Sequence, residues 1–129
     1  MMTSRVFVVQ EPLKMGADGV PVPRINYGTL HPFGTLKFPF TWGEINDRML
    51  LADTRSYVER ARDAMRNFND RDYLVPMGHP GLIAIATLVA AEENDGRIAL
   101  LDWSREARAY RVVQIDLNHD PVPVPYRHP

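Results

Sequence analysis

Hydrophobic positions along this chain alternate between two periods. Arg5-Val-Phe-Val-Val-Gln10 is β-branched and aromatic and closes at Glu11-Pro12, the composition of a strand. Thr35-Leu-Lys-Phe-Pro-Phe40 puts Leu36, Phe38 and Phe40 on one face and Lys37 and Pro39 on the other. That alternation predicts a second strand, and Pro39 places it at a sheet edge. Between them, Lys14 to Arg24 carries Asp18-Gly19 and two prolines and reads as a surface loop. Met49-Leu50-Leu51-Ala52 fits either a short strand or the approach to a helix.

The period then lengthens. Tyr57, Val58, Ala61, Met65 and Phe68 recur at helical spacing, predicting a helix capped by Asp53 or Thr54 and running to about Asn67. Its outer face carries Arg55, Glu59, Arg62, Asp63 and Arg66, with Arg55–Glu59 and Asp63–Arg66 spaced for weak ion pairs. Acids interleaved with arginines mark a solvated face and not a phosphate-binding one. Asp72 to Gly78 reads as a short buried strand entering a turn. Pro80 then opens a helix through Glu93 that is apolar almost all round, which predicts burial between layers. Asn94-Asp95-Gly96 stops it, with Gly96 suited to a left-handed cap.

Ile98–Trp103 and Ala109–Leu117 are strands joined by the short polar run Ser104–Arg108, a β-hairpin. Tyr110, Val112, Gln114 and Asp116 share one face of the second strand, and Arg111, Val113, Ile115 and Leu117 the other. The expected architecture is α+β with mixed α/β layers: about five strands and two main helices, in the order β-β-(β)-α-β-α-β-β. Residues 1–119 form one domain on this reading. Residues 120–129, with Pro121, Pro123 and Pro125, form an extended, proline-rich C-terminal tail.

At 129 residues the chain has the length of one domain. Lys+Arg number 15 and Asp+Glu 16, so the net charge is −1, unlike the strongly basic balance of a nucleic-acid binder. Cysteine is absent, which removes disulfides, thiolate metal sites and cysteine nucleophiles together. No apolar run approaches a membrane span, and the start lacks the h-region of a signal peptide. A soluble, cytoplasmic protein is the expectation.

Catalytic signatures are missing. Ser4, Ser56 and Ser104 lie outside any nucleophile elbow. His31, His79, His119 and His128 have no helical metal-pair spacing, and no metal or cofactor is implied. Asp70, Asp72, Asp102 and Asp116 fall near strand ends, but no spacing selects an acid–base pair. One local candidate is the turn Val75-Pro-Met-Gly-His-Pro-Gly81, where a strand ends at a helix start. Backbone N–H groups and the helix dipole there suit an anion, with Gly78, His79 and Gly81 as the binding residues. The turn is neither a P-loop nor G-x-G-x-x-G, and glycine and proline also serve junction geometry alone.

A second candidate is His31 to Trp42, dense in aromatics and breakers. Phe38, Phe40 and Trp42, with Tyr126 in the tail, would supply a protein-binding patch if exposed, or satellite core if not. The tail is a further contact candidate for an aromatic groove.

Asp72-Tyr-Leu-Val-Pro-Met-Gly-His-Pro-Gly81, then Gly96-Arg-Ile-Ala-Leu-Leu-Asp-Trp103 with Tyr110, resembles a pattern in small proteins encoded by tailed bacteriophages and prophages. The resemblance covers about the last half of the chain. It departs at His79, where the pattern has Asp, and at Asp102, which precedes Trp103 where the pattern has Asp following. The resemblance brings no activity or catalytic residue. It implies a small accessory protein in the cytoplasm of a bacterial host that binds a host or virion protein. The functional expectation is therefore a non-enzymatic protein acting on a protein partner or as a homo-oligomer, without membrane or nucleic acid. The alternative is a small-ligand or nucleotide/phosphate binder using the Gly78–Gly81 turn.

Overall fold

The computed structural model describes residues 3–43 and 52–118. In chain order the elements are β1 (Arg5–Val8), β2 (Leu13–Met15), β3 (Pro21–Pro23), the short 3₁₀ turns Tyr27–Thr29 and His31–Phe33, and β4 (Thr35–Lys37). There follow α1 (Arg55–Ala64), β5 (Tyr73–Val75), α2 (Pro80–Glu93), β6 (Arg97–Ser104) and β7 (Ala109–Asp116). Five strands form one sheet in the order β4-β1-β5-β6-β7, parallel except for the final hairpin. The architecture is α+β, and Tyr73-Leu-Val75 takes its place beside β1 through Val6↔Tyr73, Phe7↔Leu74 and Val8↔Val75.

Alternation along β1 builds two cores. Phe7 and Val9 face α1 and α2, joining Leu74, Ile98, Tyr57, Met65 and Phe68. Val6 and Val8 face the opposite way, meeting Leu30, Val75 and Leu101 under the 3₁₀ segment. Successive residues of a strand point to opposite faces, so one apolar run serves both layers.

The helices follow their apolar stripes. Tyr57, Ala61, Met65 and Phe68 of the first are buried as their spacing predicts. Its regular part ends at Ala64, earlier than Asn67, which sits at φ 62 and turns the chain out. The Asp53 carboxylate accepts the Arg55 N–H at 2.9 Å, while Thr54 makes no side-chain cap. Asp63–Arg66 forms at 2.9 Å, and Arg55 turns back toward Asp53 at 3.4 Å.

Three local expectations change. Lys14 to Arg24 is not a loop: β2 and β3 pair antiparallel through Leu13↔Pro23, Lys14↔Val22 and Met15↔Pro21. Gly16 N–H bonds Val20 O and Arg24 N–H bonds Pro12 O, so the even-numbered residues carry the ladder. Pro21 and Pro23 fall on the side that needs no donor, where proline is tolerated. The second helix is not enclosed between layers either. Leu82, Ala86, Val89 and Ala90 are buried, but Leu88 is 70% exposed, because the helix forms an outer layer over the sheet. The strand predicted over 35–40 stops at Lys37, and Phe40 meets the segment after β1 through an isolated bridge to Gln10.

The chain leaves β1 to pair β4 on one side, then crosses back through α1 to β5 on the other. The order in which the chain adds strands therefore reverses at the β1–β5 seam, where the parallel β1 and β5 end side by side. Open α/β sheets place ligands outside the carboxyl ends of strands at such a reversal.

Candidate functional site: the cleft at the β1–β5 seam

Three chain segments converge beyond the carboxyl end of β1. Val9 N–H bonds Val75 O at 3.2 Å and Gln10 N–H bonds Met77 O at 3.0 Å, extending the β1–β5 pairing past the regular strands. On the other side Phe40 N–H bonds Val9 O at 3.1 Å, and Glu11 N–H bonds Phe40 O at 2.9 Å. The result is a cleft of about 680 Å³, with Gln10, Glu11, Arg24, Trp42, Gly78 and His79 among its lining residues.

Gln10 organises the floor. Its Oε1 accepts the His79 backbone N–H at 2.9 Å, and its Nε2 donates to Thr41 O at 3.4 Å. Gly78 passes directly over this side chain at φ +116, and a Cβ there would stand 2.4 Å from the Gln10 Cβ. Glycine is thus required twice, by backbone angle and by close approach. His79 follows as the N-cap of α2, its Nδ1 accepting the Gly81 N–H at 3.0 Å. That acceptor role assigns the proton of a neutral ring to Nε2. Pro80 occupies the first helical position and has no N–H to offer.

This geometry bears on the expected anion turn. Of the first backbone donors of α2, one is removed by Pro80 and one is occupied by His79. An anion would have to displace the imidazole to reach the Gly81 N–H.

Glu11 and Arg24 bring opposite charges to the same rim, and the Glu11 Oε1 accepts the Trp42 N–H at 3.4 Å. Tyr27 lies within the field of Glu11. Partial burial first, and that negative charge second, hold its hydroxyl above its ordinary pKa. A neighbouring hollow of about 460 Å³ is lined by Ile25, Asn26, Thr29, Met77, Trp103 and Tyr110. Trp103 and Tyr110 meet edge to face at 5.0 Å across the hairpin.

The residues predicted from sequence therefore divide. Gly78, His79 and Trp42 line the cleft, while Gly81 acts through its N–H to His79. Phe38 is half-buried against Tyr27, with ring centroids 5.7 Å apart. Phe40 offers no surface to a partner. It is 1% exposed, packed against Tyr57 at 6.2 Å, because the turn after Pro39 sends it under α1 and not outward. Tyr126 and the proline-rich segment lie outside the described residues. Sequence reasoning missed Gln10, Glu11 and Arg24. The available signal was that Gln10-Glu11 ends the first strand, the position α/β sheets use for ligands.

Among the described residues no group of His, Asp and Glu is arranged for a metal ion. No described helix is long and apolar enough to cross a membrane. A family model described as phage Pam3 gp32-like protein matches residues 4–117. No curated protein and no solved structure matches the chain.

Proposed function

Since the chain belongs to the phage Pam3 gp32-like protein family, we propose that it is a non-enzymatic phage accessory protein, acting in the host cytoplasm by binding a host or virion protein or itself. The observation that carries this reading is the β7 edge of the sheet. It is eight residues long, has no lysine or proline, and exposes Val112 to 42% and Val113 to 38% on opposite faces. Such an edge presents backbone donors and acceptors flanked by apolar side chains, the template for adding a strand. The other edge, β4, is three residues long and carries Lys37, with Pro39 just beyond. Short length, lysine and proline are the usual means of blunting an edge.

The test is capture by the tagged full chain from infected-cell lysate after nuclease treatment, beside an edge variant, Gln114→Pro. A stoichiometric protein, or the chain itself, that is retained by the parent and lost by the variant supports the reading. Retention of neither sinks it.

A second reading is favoured by the position of the cleft. Small ligands collect at the carboxyl ends of strands where a sheet reverses, and Gln10, Glu11, Arg24, Trp42 and His79 converge there. A nucleotide, phosphate or other small ligand held there would raise the melting temperature, since it binds the native state alone. His79→Ala should abolish that rise. A panel of nucleotides and phosphates without any shift excludes those ligands.

A further inference from the structure

We infer that the protein partner of the β7 edge is a second copy of this chain, joined antiparallel about a two-fold axis at Val113. This rests on the protein-binding reading above and names its partner. Hydrogen-bond parity along β7 sets which backbone groups face outward. β6 and β7 pair in the register Arg97↔Asp116 through Ser104↔Ala109, and beyond it Leu117 N–H bonds Gly96 O at 3.0 Å. Backbone groups alternate sides along a strand, so odd-numbered residues of β7 bond β6. The N–H and C=O groups of Tyr110, Val112 and Gln114 therefore point away from β6, toward the edge that no other described strand covers.

A two-fold axis perpendicular to a continuous sheet keeps each face on its own side. Opposed residues must then share a face, so their numbers must differ by an even count. Centring the pairing on Val113 satisfies this and uses the middle of the strand. It sets Val113 against its symmetry mate, Val112 against Gln114, Arg111 against Ile115 and Tyr110 against Asp116. The outward backbone groups of Val112 and Gln114 then meet as hydrogen-bonded pairs, and the two Val113 side chains form the closer, non-bonded kind.

The side chains match in this register. Leu100 is the β6 partner of Val113 and packs against the helix-side core. The pairing continues that apolar row from Leu100 and Val113 of one copy into Val113 and Leu100 of the other. No two like charges oppose each other. Arg111 is already engaged by Asp102 at 3.0 Å within its own hairpin and lays its stem beside Ile115. An edge of eight residues is a small contact beside the roughly 1,000 Å² of total buried surface that a specific interface clears. The dimer is accordingly weak and concentration-dependent.

Sedimentation equilibrium of the full chain over a wide concentration range, paired with amide exchange by NMR, tests this. The expected result is a reversible monomer–dimer equilibrium in which the Tyr110, Val112 and Gln114 amides gain protection as concentration rises, while those of Arg111 and Val113 are protected throughout. Gln114→Pro removes an edge donor without touching the β6 ladder. Val113→Lys sets two ammonium groups face to face on the axis. Each should weaken dimerisation at least tenfold while cooperative unfolding is retained.

A monomer at every concentration overturns the inference, and so does a dimer indifferent to both variants. Even-numbered β7 amides protected in the dilute monomer mean that the chain covers its own edge, which also overturns it. If the chain stays monomeric yet captures a foreign protein through β7, the self-pairing fails and the protein-binding reading stands.

Discussion

The buried Asp72 carboxylate, 1% exposed, pairs with the partly exposed Arg5 side chain, Nη2 lying 2.7 Å from Oδ2. Asp72 also accepts the Arg5 backbone N–H at 3.0 Å and the Asn69 N–H at 3.0 Å. Arg5 in turn donates to the carbonyls of Arg66 and Asn67. The first residue of β1 is thereby tied to the entry of β5 and the end of α1. This clasp sits at the amino end of the seam whose carboxyl end opens into the cleft, so the two ends of one strand pair are divided between anchorage and access.

Removing the acid should expose how much depends on it. Asp72→Ala leaves a partly buried guanidinium and two backbone donors without their acceptor, and should cost about 3–5 kcal/mol. Urea unfolding followed by circular dichroism measures it. A loss below about 1 kcal/mol would mean that water replaces the carboxylate without penalty.

Two glycines with positive φ should respond differently to alanine. Gly78→Ala meets both the φ of +116 and the Gln10 side chain, and should destabilise by about 1–3 kcal/mol. Gly19→Ala, at φ +81 with nothing within 4 Å, should cost only about 1 kcal/mol for its backbone angle. Equal losses in thermal melts would refute the close approach at Gln10.

His79→Ala should remove the cap of α2 at a cost of about 1 kcal/mol, the usual worth of an N-cap side chain. Amide exchange at Gly81 should quicken more than at Val89, in the middle of the helix. Uniform acceleration along the helix would point to global destabilisation instead of lost capping.

Much of the fold was legible from the chain. The β1, α1 and hairpin assignments follow from apolar spacing, and Gly96, at φ 80, ends α2 as its turn residues suggest. What was illegible depended on register and layering. Whether Pro21 and Pro23 can sit in a strand depends on which side of the ribbon their nitrogens fall, and composition does not record that. Periodicity could not show that α2 lies outermost, since an apolar residue such as Leu88 reads alike whether covered or not. The cleft unites Gln10, Arg24, Trp42 and His79 from four separate stretches. Only the strand order brings them together.

That placement of α2 gives a direct check. Leu82→Ala should cost about 3 kcal/mol, as a large-to-small change in a packed core, whereas Leu88→Ala should stay within about 0.5 kcal/mol. Comparable losses would put Leu88 beneath a surface the described residues do not supply.

Acid should weaken the loop between α2 and β6. Asp70 accepts from Asn94 Nδ2 at 2.8 Å and Arg97 Nε at 3.0 Å, and those bonds hold its carboxyl below the ordinary value of 3.8. A folded-state value below the unfolded one gives stabilisation that is full above the unfolded value and lost as pH falls through the folded value. The melting temperatures of the parent and Asp70→Ala should therefore differ most above about pH 4 and converge in stronger acid. A gap that widens on acidification would contradict the assignment.

The unequal edges of the sheet decide how far assembly can go. Pairing through β7 consumes the long edge of each copy and leaves a blunt β4, with Lys37 and nearby Pro39, at both outer ends. In the proposed dimer the contact would close on itself: the second molecule would cap the first, and the joined five-stranded sheets would offer no second long edge among the described strands. Under that proposal the strand that would invite association is also the one that would keep it from growing into a fibre.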